Sequence, residues 1–180
     1  MAAEEKSVAW RWSDEDEALA EKWRRGCVGY RFMHRHAARE YKRRHKMLKF
    51  PAVILSAATS TSLFAGGADA DSPMRYVFAS CALTVTVLEA LDQWLQLQQA
   101  AARHFASADL ATRLLSQLAN ELSLPRVRRS APGKFMEKAA RDYDSLLQSS
   151  NHLPACATSA FERHIRIHGI VGEDDDTPAA

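Results

Sequence analysis

The sequence predicts an all-α fold: a two-transmembrane helical hairpin whose long helices extend into a cytosolic helical bundle. Three observations carry this. Gly and Pro are sparse, and apolar residues make up 47% of the 180-residue chain against 26% charged, a balance that suits long helices and opposes disorder. Two charge-free runs, residues 50–66 and 76–88, lie close together. Ten Lys or Arg residues stand between Arg24 and Lys49 against the single acid Glu40, just ahead of the first run. Net charge is only +2, so the placement of charge carries the information.

One helical domain is expected over residues 13–171, between an N-terminal tail (1–12) and an acidic disordered tail (172–180). The N-terminus lacks the basic-then-apolar order of a secretory signal. Ser13 followed by Asp14, Glu15 and Asp16 starts a helix, because the hydroxyl caps free amides and the acids favour the positive end of the dipole. The basic amphipathic helix (13–49) carries a seam of Trp23, Cys27, Tyr30, Ala37, Tyr41 and Leu48 at steps suited to a partner helix. The first span covers 50–66, short for a bilayer core of roughly 30 Å. A loop (67–75) with two acids and no base before Arg75 leads to the second span (76–91). With no proline between Pro73 and Pro125, that span continues as a cytosolic extension (92–124) with a coiled-coil-like seam through Ala101, Phe105, Ala108, Ala111, Leu115, Leu118 and Leu122. C-terminal helices follow over 132–168, through Phe135, Ala139, Tyr143, Leu146 and Leu147 and then, after Pro154, Phe161 and Ile165.

Charge asymmetry sets the expected orientation. The basic flank precedes the first span, so the positive-inside rule places it and both termini in the cytosol of an integral membrane protein. Arg35, Arg39, Lys42, Arg43, Arg44, Lys46 and Lys49 are then candidates for binding lipid headgroups. Ser56 and Ser60 share one helix face, and Ser80 and Thr84 share another; such faces favour close helix contact or line a wet path. Glu89 and Asp92, three apart near the inner boundary, either collar a pore mouth or, with the span ending at Leu88, sit in solvent or pair with the basic flank. The competing reading is a soluble helical interaction protein in which Ala52 to Leu63 and Val77 to Leu88 form the core.

The order of parts, a basic helix leading through Lys49-Phe-Pro-Ala-Val-Ile-Leu-Ser-Ala57 to a Ser/Thr-rich span, a brief loop, a second span and a long helix with Ala101-Ala-Arg-His-Phe-Ala-Ser-Ala108, resembles the SLATT group of SMODS- and SLOG-associating two-transmembrane effector domains. Leu122-Ser-Leu-Pro125 and the stretch from Phe135 to Leu147 ending before Leu153-Pro154 extend the likeness over roughly residues 20 to 160. The resemblance implies a pore-forming membrane effector, a homo-oligomer in the lipid bilayer, triggered by a separate sensor protein.

Other chemistries are not expected. Cys27, Cys81 and Cys156 are odd in number and far apart, which suggests neither a disulfide framework nor a zinc knuckle, and they read as small apolar side chains. His34, His36 and His45, and the pair His164 and His168, lack completing ligands and read as surface histidines. No nucleophile elbow, zinc-protease or phosphate-loop pattern is present, so neither enzymatic activity nor a cofactor is expected. The basic stretch lacks interleaved aromatics for base stacking; its position beside a span favours lipid over nucleic acid.

Overall fold

The computed structural model describes residues 11–64, 74–150 and 152–168, and its regular structure among them is entirely helical, as the composition predicts. Five α-helices follow in order among these residues: α1 Asp14–Phe64, α2 Met74–Leu95, α3 Leu97–Ser123, α4 Pro132–Ser150 and α5 Ala155–His168. A 3-10 turn at Arg126–Arg128 joins α3 to α4. The expected acidic tail, most of the loop at 67–75 and the last two residues of the first span lie outside the described residues. The described helices form two compact units, one built on Met1–Ala37 with Arg103–Ala180 and one on Ala38–Ala102.

In the first unit, α1 starts where the capping signal placed it. Ser13 Oγ accepts from the Asp16 amide at 3.0 Å and Asp16 Oδ2 accepts from the Ser13 amide at 3.1 Å, a reciprocal box that satisfies two otherwise orphaned donors. Trp12, expected in a tail, is instead buried. Its indole N–H donates to the Ser130 carbonyl at 2.9 Å, its ring lies 5.6 Å from Phe135, and the Arg129 guanidinium covers it at 5.3 Å. Arg129 also donates to the Leu124 and Leu122 carbonyls, capping the end of α3, and pairs with Glu17. Arg126, with Arg129 beside it, holds the Glu17 carboxyl well down, to about 2, against a desolvation penalty.

The core behind this clasp joins Ala20, Cys27 and Val28 of α1 to Leu114, Leu115 and Leu118 of α3 and to Ala139 and Leu146 of α4. Burial pushes the Cys27 thiol up to about 12, so it packs as the small apolar group the sequence suggests. Two glycines of α1 admit aromatic rings at distances a side chain would forbid. A Cβ at Gly26 would stand 2.6 Å from the Tyr143 hydroxyl, and one at Gly29 would stand 2.9 Å from the Phe161 ring. Tyr143 is thereby stacked beside Trp23 at 5.8 Å, and Phe161 beside Phe32, also at 5.8 Å.

Two expected boundaries are corrected. The sequence suggests separate segments at 13–49 and 50–66, but α1 passes through Pro51 as one helix to Phe64. A proline removes one intrahelical hydrogen bond, a loss that a 51-residue helix absorbs. Conversely, the uninterrupted helix expected from residue 76 to 124 breaks at Gln96, with neither proline nor glycine there. Gln96 adopts φ 47°, a left-handed conformation that costs a non-glycine residue roughly 1 kcal/mol. Hydrogen bonding continues across it, from the Gln96 amide to the Asp92 carbonyl and from the Ala100 amide to the Gln96 carbonyl.

The break resets the helix phase. Half-buried positions before it are Phe78, Cys81, Val85, Leu88 and Asp92; the inward row after it runs through Leu97, Ala101, His104, Ala108, Ala111, Leu115, Leu118 and Leu122. His104 therefore replaces Phe105 in the expected seam, and Phe105 is exposed.

Candidate functional site

The second unit is a helical hairpin. On α1 its inward row is Ala38, Tyr41, His45, Leu48, Ala52, Leu55 and Thr59, spaced by three and four residues, and on α2 it is Phe78, Cys81, Val85, Leu88 and Asp92. The rows are mostly apolar, with Tyr41 and Thr59 carrying hydroxyls, and their ionisable pair is where His45 meets Asp92. There His45 Nδ1 donates to Asp92 Oδ1 at 2.8 Å, since a carboxylate only accepts. Lys49 lies 3.7 Å from the other Asp92 oxygen and 4.0 Å from Glu89. Asp92 is 11% exposed, so its carboxylate is largely desolvated, with one hydrogen bond from His45 and the Lys49 ammonium at ion-pair distance. Asp92 thus pairs with the basic flank, while Glu89 is more than half exposed with Lys49 at 4.0 Å. His45, read as a surface group, is instead half-buried in the hairpin seam.

The outward faces differ in kind. On α2, Tyr76, Leu83, Val87, Leu91 and Trp94 are exposed and fall within one side of the helix. From Tyr76 to Trp94 that side carries no charge, because Glu89 and Asp92 project elsewhere; at 1.5 Å per residue the stripe is about 27 Å long. On α1, Met47, Phe50, Val53 and Ile54 are exposed in the same way.

Hydroxyls in these segments turn back on their own helices. Thr59 donates to the Leu55 carbonyl, Ser60 to Ser56, Ser80 to Val77, Thr84 to Ser80 and Thr86 to Ala82, all at 2.8 to 3.0 Å. Such bonds lower the cost of placing a hydroxyl in apolar surroundings. Ser56, Ser60, Ser80 and Thr84 are exposed and stand outside the inward rows, so the contact within the hairpin is made by other residues.

The seven basic candidates separate by environment. Arg44 pairs with Glu40 at 3.0 Å and Lys49 with the acids of α2. Arg35 is half-buried and belongs to the first unit. Arg39, Lys42, Arg43 and Lys46 are exposed, and among the described residues no carboxylate pairs with them.

A second polar feature lies in the first unit. His34 is fully buried and its Nδ1 stands 3.1 Å from Nδ1 of His104. One proton serves this contact, while His34 Nε2 has no hydrogen-bond partner. A second proton on His34 would bury an unsatisfied donor, and burial, with His104 adding to it, lowers its pKa to about 4. Reading His34 as a surface histidine is therefore corrected. The signal was present in the spacing, since His34 continues the Cys27, Tyr30 row and His104 sits between Ala101 and Ala108. Among the described residues no group of three potential ligands could hold a metal.

No helix among the described residues is long and apolar enough, taken over all its faces, to cross a membrane. No protein-family model, curated protein or solved structure matches the chain.

Proposed function

We propose that the hairpin of α1 and α2 inserts into a lipid bilayer, as a two-span membrane anchor of a homo-oligomeric protein whose termini stay on the cytosolic side. The observation that supports this reading best is the outward stripe of α2. It is uncharged over about 27 Å, near the thickness of a bilayer's hydrocarbon core, and ends in an exposed aromatic at each boundary, Tyr76 and Trp94. The acids that shorten the apolar run in sequence lie off that stripe, where His45 contacts Asp92 and Lys49 stands within 4.0 Å of both Asp92 and Glu89. On α1 the charge-free sequence starts at Phe50, and its described part to Phe64 is about 22 Å of helix; Lys46 and Lys49 lie where long stems snorkel to a headgroup layer. Exposed Ser56, Ser60, Ser80 and Thr84 offer small contact faces to a second copy.

Pore formation of the SLATT type is the activity implied by the resemblance. In it Glu89, more exposed than Asp92, is the acid open to a water-filled path. If it conducts, Glu89→Gln shifts the cation reversal potential; an unchanged potential removes Glu89 from that role.

The second reading, a soluble interaction protein, is favoured by the absence of a long apolar helix among the described residues. Under it another protein covers the stripes. Liposome flotation with carbonate extraction separates the two. The membrane reading expects the full chain to float and to resist carbonate; recovery in the soluble fraction sinks it.

A further inference from the structure

The outward side of α1 changes character along its length. Arg39, Lys42, Arg43 and Lys46, then Met47, Phe50, Val53 and Ile54, follow one another at steps of one and three residues and stay within one side of the helix. All eight are exposed. The side is thus cationic for two turns and apolar for the next two, with the change between Lys46 and Met47.

Among the described residues, an open groove of about 940 Å³ along the same stretch is lined by α1 alone, through Arg39, Lys42, Lys46, Met47, Phe50 and Val53, with His45 and Lys49 beside them. Its wall is largely apolar although half of its lining is Lys and Arg, which fits a surface made in part by the aliphatic stems of long cationic side chains.

We infer that this groove binds one anionic phospholipid with two phosphates in its headgroup, its acyl chain lying against Met47, Phe50 and Val53. The inference rests on the membrane reading above. Charge complementarity selects the occupant: four cations without a carboxylate partner among the described residues span seven residues, about 10 Å, more than a single phosphate reaches. They fall into two i,i+4 pairs, Arg39 with Arg43 and Lys42 with Lys46, each suited to one phosphate. The apolar continuation selects a lipid over a soluble phosphate, which would leave Phe50 and Val53 uncovered.

The test uses the full chain with phosphatidylcholine vesicles containing either diphosphatidylglycerol or phosphatidylglycerol at equal total charge. Native mass spectrometry then counts the lipids that remain bound after extraction. One diphosphatidylglycerol retained per chain, in preference to phosphatidylglycerol, is expected. Replacing Arg39, Lys42, Arg43 and Lys46 with Gln weakens retention at least about a hundredfold. A control with Lys134, Lys138, Arg163 and Arg166 changed to Gln loses the same net charge and retains the lipid. Lys46→Glu alone, less disruptive to folding, lowers retention in the same direction.

Equal loss in the control, or retention that follows vesicle charge alone, overturns the inference. Displacement by millimolar inorganic pyrophosphate also overturns it, because the site would then be one for soluble phosphates. A chain that resists carbonate but retains no lipid refutes the groove alone, whereas a chain recovered in the soluble fraction refutes the membrane reading and the groove with it.

Discussion

His34 shows how a single buried side chain ties the fold to pH. Its folded-state pKa lies near 4 and its ordinary value near 6.5, so between these values the unfolded chain binds a proton that the folded chain refuses. Stability is therefore full above about pH 6.5 and falls as pH drops toward 4, by on the order of 3 kcal/mol over that window. Urea unfolding at pH 7.5 and 4.5 measures this loss, and His34→Gln, which cannot titrate, should flatten the difference. The glycine at position 29 acts through space alone. Gly29→Leu drives a side chain into the Phe161 ring and should cost about 1 to 3 kcal/mol by chemical denaturation, despite the better helix propensity of Leu. Neither effect was legible in composition. The histidine spacing was visible, but which ring faces it depends on the phase of α3, set at a residue without a sequence signature.

At the scale of the element, the sequence announced starts better than interruptions. Ser13 with Asp16 is a local device, complete within four residues, and it formed where read. Pro154 likewise precedes the start of α5 by one residue. Pro51 and Gln96 ran against their residue types, because backbone propensity is a small term beside the packing of a long helix face. The left-handed turn at Gln96 gives a direct test. Gln96→Gly removes a Cβ from a conformation that disfavours it and should raise stability by about 1 kcal/mol, whereas the same change at exposed Gln99 should lower it by a similar amount. Of the candidate site, the charged residues were legible by number and the apolar run by length. Their division into inward and outward sides was not, since Asp92 reads as the end of a span until the helix is seen to turn it toward His45.

For the whole molecule, the issue is what covers the outward stripes of the hairpin. Leu83 and Val85 sit two residues apart on opposite sides of α2, the first exposed and the second half-buried. If a bilayer covers the outer side, Leu83→Lys should cost about 2.5 to 3.5 kcal/mol of insertion and move the chain from the carbonate-resistant to the extractable fraction. Helix content by circular dichroism in detergent should persist. Val85→Lys should disrupt the hairpin itself and lower that helix content. A Leu83→Lys chain still fully membrane-embedded would argue against lipid on that side.

The turn at Gln96 also bears on how such a chain tolerates changes of length. Helix bonding continues on both sides of it, so the turn changes the helix phase without interrupting the hydrogen bonds of α2 or α3. Deleting Gln96 would rotate α2 by roughly a quarter turn or more and strand Asp92 away from His45. An added residue could be taken up by moving the left-handed position along by one. The left-handed residue thus fixes the phase at which Asp92 meets His45.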